Sequence, residues 1–199
     1  MRRPERPRGG ALFVPLETAR LRLEPIRADH ADGMFDGLRE PSLYDYQTDE
    51  PPRDLASLGD RYARLAAGHS TDELAHWLNW ILVRRDGGGT AGYVQATVDK
   101  DLSRAEIGYL VLPAQQRRGF GGEAVDAMNR HLLAAGVRAL HATIDVRNAA
   151  SIALIERLGF RRARTRRSDD VIGGVRGLDH EYELRRPRAA PAPAPNTPA

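Results

Sequence analysis

Between positions 116 and 123 the chain reads Gln-Arg-Arg-Gly-Phe-Gly-Gly-Glu, a loop that sits directly before a helical pattern. Backbone N–H groups at a helix start converge with the positive end of the helix dipole, which makes the spot a ready anion site. Gly119 and Gly121 remove Cβ atoms where phosphate oxygens must approach, and Arg117 and Arg118 add charge-assisted donors. The natural guest is a pyrophosphate. Two other features stand out on either side. Glu106 is a lone carboxylate inside the apolar run from Ala105 to Leu112, and Asn148 precedes Ser151 by three residues at the start of a later helix.

Taken alone, the loop is also compatible with a tight turn whose arginines are solvated. Gly119 to Ala124 further fits the dinucleotide fingerprint G-x-G-x-x-A, with Asp145 at a strand end beyond it. That fingerprint requires the strand to run almost directly into its first glycine, whereas Pro113 to Arg118 intervene here. Only about 50 residues remain after the unit, too few for a second βαβ half.

The elements that must position these residues follow from periodicity. Leu16 to Ile26 alternates apolar and polar residues as a strand does. Asp29 is the expected N-cap of a helix through Met34, Phe35 and Leu38, and a second helix carries Leu55, Leu58, Tyr62 and Leu65 up to Gly68. Trp77 to Val83 and Ala91 to Val98 form strands around the turn Asp86-Gly87-Gly88-Gly89. The strand from Ala105 to Leu112 ends at Pro113. Ala124, Met128 and Leu132 then recur every four residues on a helix that stops near Gly136. A strand from Ala139 to Val146, a helix from Ala149 to Leu158 closed by Gly159, and two last strands complete the chain. The expected fold is α/β, a mixed sheet of about six to seven strands with helices on both faces.

Composition sets the outer limits. The 199 residues suffice for one substantial core. Cysteine is absent, which excludes disulfides, thiolate metal sites and a cysteine nucleophile. The histidines show no H-x-x-x-H spacing and there is no G-x-S-x-G, so no metal is expected and hydrolase readings lack a nucleus. Pro15 interrupts the first apolar stretch well short of a signal-peptide core, and no membrane-length run follows; a cytoplasmic protein is expected. The formal charge of +3 comes almost wholly from arginine, since Lys100 is the only lysine. Residues 1–15 and the Pro/Ala-rich segment 187–199 are expected to be disordered, leaving a domain over 16–186.

Taken together, these motifs resemble the GCN5-related N-acetyltransferases, whose pyrophosphate loop reads Q/R-x-x-G-x-G/A; Gln116 to Gly121 matches it position by position. Leu16 to Leu23, Glu106-Ile107-Gly108-Tyr109, Arg147 to Ser151 and Leu158-Gly159-Phe160 narrow the resemblance to the RimJ/RimL-like branch of ribosomal-protein N-terminal acetyltransferases. It covers roughly residues 16 to 185 and implies a GNAT-like sheet splayed between its fourth and fifth strands, with acetyl-CoA as co-substrate in the cleft. The implied cofactor residues are Leu110, Val111 and Leu112 through their backbone, Gln116, Arg117, Arg118, Gly119, Phe120, Gly121, Gly122, Glu123 and Ala124 around the phosphates, and Asn148 and Ser151 on the pantetheine side.

The implied reaction is attack of a neutral amine on a thioester, which needs a proton acceptor, oxyanion stabilisation and a donor for the leaving thiolate. Glu106 is the expected acceptor and a backbone N–H near Val111 the expected oxyanion donor. Many family members place a tyrosine on the helix after the asparagine, and here that position is Ile155; the branch resemblance substitutes Ser151. Glu123, in the first turn of its helix, complements the dipole rather than reacting. Tyr44, His76 and Trp80 are the expected lining of the acceptor pocket, although tryptophans within a strand are more often core. The acceptor is a small amine or a protein N-terminus, and the chain is expected as a monomer or homodimer. A CoA-binding module without activity and an arginine-driven nucleic-acid binder remain as alternatives.

Overall fold

The computed structural model describes residues 12–70, 74–172 and 174–185. One eight-stranded sheet runs through them: β1 (Leu16–Glu17), β2 (Leu21–Pro25), β3 (Ala75–Arg84), β4 (Thr90–Asp99), β5 (Ala105–Val111), β6 (Ala139–Asp145), β7 (Arg161–Ile172) and β8 (Val175–Arg185). Their spatial order is β1-β2-β3-β4-β5-β6-β8-β7. The count exceeds the expected six to seven because Leu16–Glu17 pairs back on Leu23 and Arg22 as a strand of its own. Four helices cover the sheet: α1 (Ala31–Leu38), α2 (Leu55–Leu65), α3 (Phe120–Ala134) and α4 (Ala149–Arg157).

The helices divide the core in two. Ala124, Val125, Met128 and Leu132 of α3 are fully buried at the i, i+4 spacing of one helix face, against Leu78, Trp80, Leu82 and Val94 of the sheet. On the opposite face Met34 and Leu38 of α1 and Leu58 and Tyr62 of α2 close over Ile81, Leu110 and Leu112. Asp54 caps α2 by accepting from the Ser57 N–H at 2.7 Å. Asp29 does not cap α1 as expected. It lies within a 3₁₀ turn, Ala28–His30, where the His30 ring accepts from the Arg27 N–H at 3.1 Å, and α1 itself has no side-chain cap among the described residues.

Residues 12–15, expected within a disordered segment, are packed instead. Leu12 is fully buried, its carbonyl meets His131 Nε2 at 2.9 Å, and the Val14 carbonyl accepts from Trp80 Nε1 at 2.8 Å. The rest of that segment and the tail beyond Arg185 lie outside the described residues.

All neighbouring strands pair antiparallel except β5 and β6, which are parallel and pair only at Ala105↔Leu140 and Glu106↔His141. Beyond those two rungs β5 and β6 diverge. Leu112 donates to Ala91 at 2.9 Å, so by the alternation of antiparallel bonding the N–H and C=O groups of Tyr109 and Val111 turn away from β4, into the opening.

Candidate active site

Four elements meet at this opening: the C-terminal half of β5, the loop before α3, the start of α4, and residues 42–47. Together they enclose a cavity of about 850 Å³. Gly119 adopts φ 81° and Arg117 φ 63°, a left-handed pair that turns the chain sharply into α3. The first free N–H groups of the helix, at Phe120, Gly121 and Gly122, have no intrahelical partner and no acceptor among the described residues. The cavity lining also carries Arg117 and Arg157, neither paired with a described residue, and no carboxylate. Helix dipole and unpaired cations without an opposing charge suit a polyphosphate.

The glycines divide the work differently than their spacing suggests. A Cβ on Gly121 would come within 3.1 Å of Val111 Cγ2 and 3.2 Å of Leu154 Cδ1, so Gly121 permits close packing of α3 on β5 and α4. Gly119 is required for its backbone conformation. Gly122 is merely in ordinary contact, with Arg157 Nη2 at 3.4 Å.

Several expected cofactor residues prove to support the loop rather than line the cavity. Arg118 faces sideways, its Nη1 donating to Gln115 Oε1 at 3.3 Å. Glu123 binds the turn between β1 and β2, accepting from Thr18 Oγ1 at 2.6 Å, the Arg20 N–H at 2.8 Å and Arg20 Nε at 2.7 Å. Burial opposes its charge, yet these donors and the Arg20 guanidinium hold its carboxyl below the usual range. Ala124 is fully buried in the core, and Leu112 is buried against Gly37. By contrast Leu110, Val111, Gln116, Arg117, Gly119, Phe120, Gly121, Gly122, Asn148 and Ser151 all line the cavity. Gln116 secures the loop, its Nε2 donating to the Val111 carbonyl at 3.1 Å.

At the α4 end, Asn148 Oδ1 accepts from the Ser151 N–H at 3.1 Å, the cap expected of it. The Ser151 hydroxyl engages no described residue. Tyr109, a lining residue that sequence reasoning passed over, reaches across the opening and donates to the Ser151 carbonyl at 3.3 Å. Burial raises its phenol above the ordinary tyrosine value, partly offset by that contact, so it carries its proton at neutral pH. Ile155 is fully buried and offers no hydroxyl.

A second cavity, of about 310 Å³, lies on the α1/α2 side and shares Leu110 with the first. Its floor is Asn79 on β3, Tyr93 and Gln95 on β4 and Leu110 on β5; its walls are α2 and residues 49–52. Tyr44 lines it, its hydroxyl donating to the Leu38 carbonyl at 2.6 Å. Trp80 and His76 do not line it. Strand alternation places Trp80 on the α3 face, fully buried and edge-on to Phe13, and His76 shares its parity. Glu106 is likewise outside both cavities: it bridges β5 to β6 where they part, with Oε1 accepting from Thr143 Oγ1 at 3.0 Å and Oε2 from Arg104 Nη2 at 2.7 Å. Among the described residues no cluster of His, Asp or Glu is placed to hold a metal, and no helix is long and apolar enough to cross a membrane.

A splayed parallel strand pair beside a glycine loop at a helix start is the arrangement expected of one family, and residues 20–161 match the acetyltransferase (GNAT) domain. The chain belongs to the GNAT acetyltransferases. As a member it is an acyl-CoA-dependent acetyltransferase with acetyl-CoA as co-substrate. It is 26% identical over 181 residues to the uncharacterized N-acetyltransferase YoaA of Bacillus subtilis (strain 168), covering 89% of this chain and 99% of that protein. Among solved structures, RimL, a ribosomal L7/L12 alpha-N-protein acetyltransferase in complex with coenzyme A, superposes with a TM-score of 0.76 at 16% identity, over 86% of this chain and 97% of the other. The microcin C7 self-immunity acetyltransferase MccE, in complex with acetyl-CoA and AMP, gives 0.74 at 16% identity, over 84% and 93%. These likenesses concern the GNAT fold, and the acceptor must be argued from this chain's own cavities.

Proposed function

We propose that this GNAT enzyme transfers the acetyl group of acetyl-CoA to a primary amine, an N-terminal α-amine or a small molecule, by direct attack in a ternary complex. The observation that carries this reading is the pair of cavities meeting at Leu110: one has free helix N–H groups and unpaired arginines, the other has a polar floor. Acetyl-CoA supplies the activated thioester. The α3 N-terminus with Arg117 and Arg157 holds its phosphates, and the Val111 N–H, turned into the opening, is the donor aimed at the carbonyl oxygen. Tyr109 and Ser151 stand together at the α4 side as proton donors to the leaving thiol.

Glu106, engaged at the strand junction, gives way as proton acceptor to Glu50, the carboxylate of the acceptor cavity that has no described partner; Asp49 is paired with Arg61 at 2.9 Å. The demand on this base depends on the acceptor. At pH 7 roughly a tenth of an α-amine is already neutral, against about 0.04% of a lysine amine.

Coenzyme A titration tests the phosphate site. Gly119→Val forces a β-branched residue into left-handed backbone, at about 1–3 kcal/mol, and should weaken CoA binding roughly 5- to 100-fold; Arg157→Ala should weaken it about tenfold. CoA affinity unchanged in both variants would place the phosphates elsewhere.

A further inference from the structure

The smaller cavity carries more polar capacity than the protein uses. Asn79 is 6% exposed, lines the cavity, and its carboxamide engages no described group. Gln95 is its direct cross-strand partner, lies over Gly108, and is equally unengaged. Tyr93 has no hydrogen-bond partner for its hydroxyl among the described residues, and burial pushes that phenol up to about 12. The Tyr62 hydroxyl is buried without a partner among the described residues, and burial raises it as well. Both carboxamides keep contact with solvent through the cavity, so their hydrogen-bonding capacity is open to a ligand that takes the place of that water.

All four groups are uncharged. The charged residues of the lining, Asp49, Glu50, Arg61 and Arg64, lie on α2 and the 49–52 segment, are exposed, and leave the strand floor neutral. Arg61, which acts electrostatically on Tyr62 and Tyr93, is engaged by Asp49 at 2.9 Å, so a carboxylate reaching that floor would find no unpaired cation on the strands. A hydroxyl or carboxamide would find both donors and acceptors.

Register supplies the spacing. Leu110, shared with the cofactor cavity, pairs with Tyr93, whereas Gln95 pairs with Gly108 and Asn79. The carboxamides therefore sit two residues along the strands from the point where the cavities meet, about 7 Å.

Resting on the acetyltransferase reading above, we propose that the acceptor is a primary amine that carries no carboxylate and bears an uncharged hydrogen-bonding group, a hydroxyl or carboxamide, within about 7 Å of its nitrogen. Asn79 and Gln95 recognise that group. The same chemistry is offered by a free amino amide and by the first residue of a peptide, whose carbonyl is already an amide.

The test follows thiol release from acetyl-CoA by the full chain with matched acceptors: serinamide, serine, a serine-initiated peptide and n-butylamine. Serinamide, the peptide or both should exceed serine and butylamine at least tenfold in kcat/KM; which of the two leads identifies the source. Asn79→Leu and Gln95→Leu should each erase most of that advantage while CoA affinity stays within twofold. Gln95 is exposed, so its substitution spares the core. Serine or butylamine turning over as well as serinamide, or both leucine variants retaining the preference, overturns the proposal. Preference for serine that disappears in Arg64→Ala would overturn it in favour of carboxylate recognition. Failure to bind CoA, or CoA binding with no turnover of any amine, would instead overturn the acetyl-transfer reading on which the proposal rests.

Discussion

At the residue scale the site depends on a few side chains that face the opening. Tyr109 is the sharpest case. Its phenol is kept protonated by burial and stands across the opening from Ser151, while Ile155 leaves the helix without a tyrosine. If Tyr109 and Ser151 share protonation of the leaving thiol, Tyr109→Phe should lower kcat about tenfold or more with little change in amine KM, and Ser151→Ala should lower it less. The double variant should fall below either single one. Steady-state kinetics checks this, and a rise in KM at constant kcat would reassign Tyr109 to binding. Glu106 shows the opposite pattern, with both carboxylate oxygens occupied at the strand junction. Its lone charge in an apolar run reads in sequence as catalytic. What sequence cannot show is that Arg104 and Thr143 are waiting for it.

Elements carry the positions of these groups, and α4 depends on the turn before it. Asp145 ends β6 with a buried carboxylate that accepts from the Arg147 N–H at 2.8 Å and from its guanidinium at 2.9 and 2.6 Å, while the Asp145 carbonyl accepts from the Asn148 N–H at 2.9 Å. The Arg147 hydrogen bonds, acting against burial, hold the Asp145 carboxyl below the usual aspartate range. A folded-state value below the unfolded one stabilises the protein above the ordinary aspartate pKa, and the gain is lost as pH falls through the depressed value. Asp145→Asn should therefore cost about 1–2 kcal/mol at neutral pH, discounted because Arg147 is half exposed. The difference from wild type should shrink as the solution is acidified below the aspartate range. Urea melts at several pH values check it; a difference that grows in acid would contradict the assignment.

Much of this scale was legible beforehand. The glycine loop, the Asn148 cap and the core stripe of α3 each have a local signature, and each forms as expected. The faces of β3 were not legible. Helices cover both sides of the sheet, so β3 is buried on both faces and its apolar pattern does not say which side Trp80 takes. The floor of the smaller cavity was not legible for another reason: Asn79, Tyr93 and Gln95 come from two strands, and only their pairing makes them neighbours.

For the whole molecule, what matters is that one parallel pair interrupts an antiparallel sheet. The break between β5 and β6 opens the larger cavity beside α3 and α4, and the smaller cavity on the α1/α2 face shares Leu110 with it; in the proposed reading the first takes the phosphates and the second the acceptor. The arginine-rich stretch Arg161 to Arg167 in β7 lies on the edge strand of the sheet. Arg164 and Arg166 share Glu181, and Arg166 also reaches Asp169, so part of the basic charge is neutralised within the fold. Such charges also discourage edge-to-edge pairing of copies.

The central claim is that this opening brings acetyl-CoA and a primary amine together. Mass spectrometry of an amine, amino-amide and peptide panel incubated with acetyl-CoA and the full chain tests it directly. The account predicts that at least one primary amine gains a single acetyl group at a rate proportional to enzyme, and that Gly119→Val suppresses this rate at limiting acetyl-CoA. A folded protein that binds CoA yet acetylates nothing across the panel would contradict it.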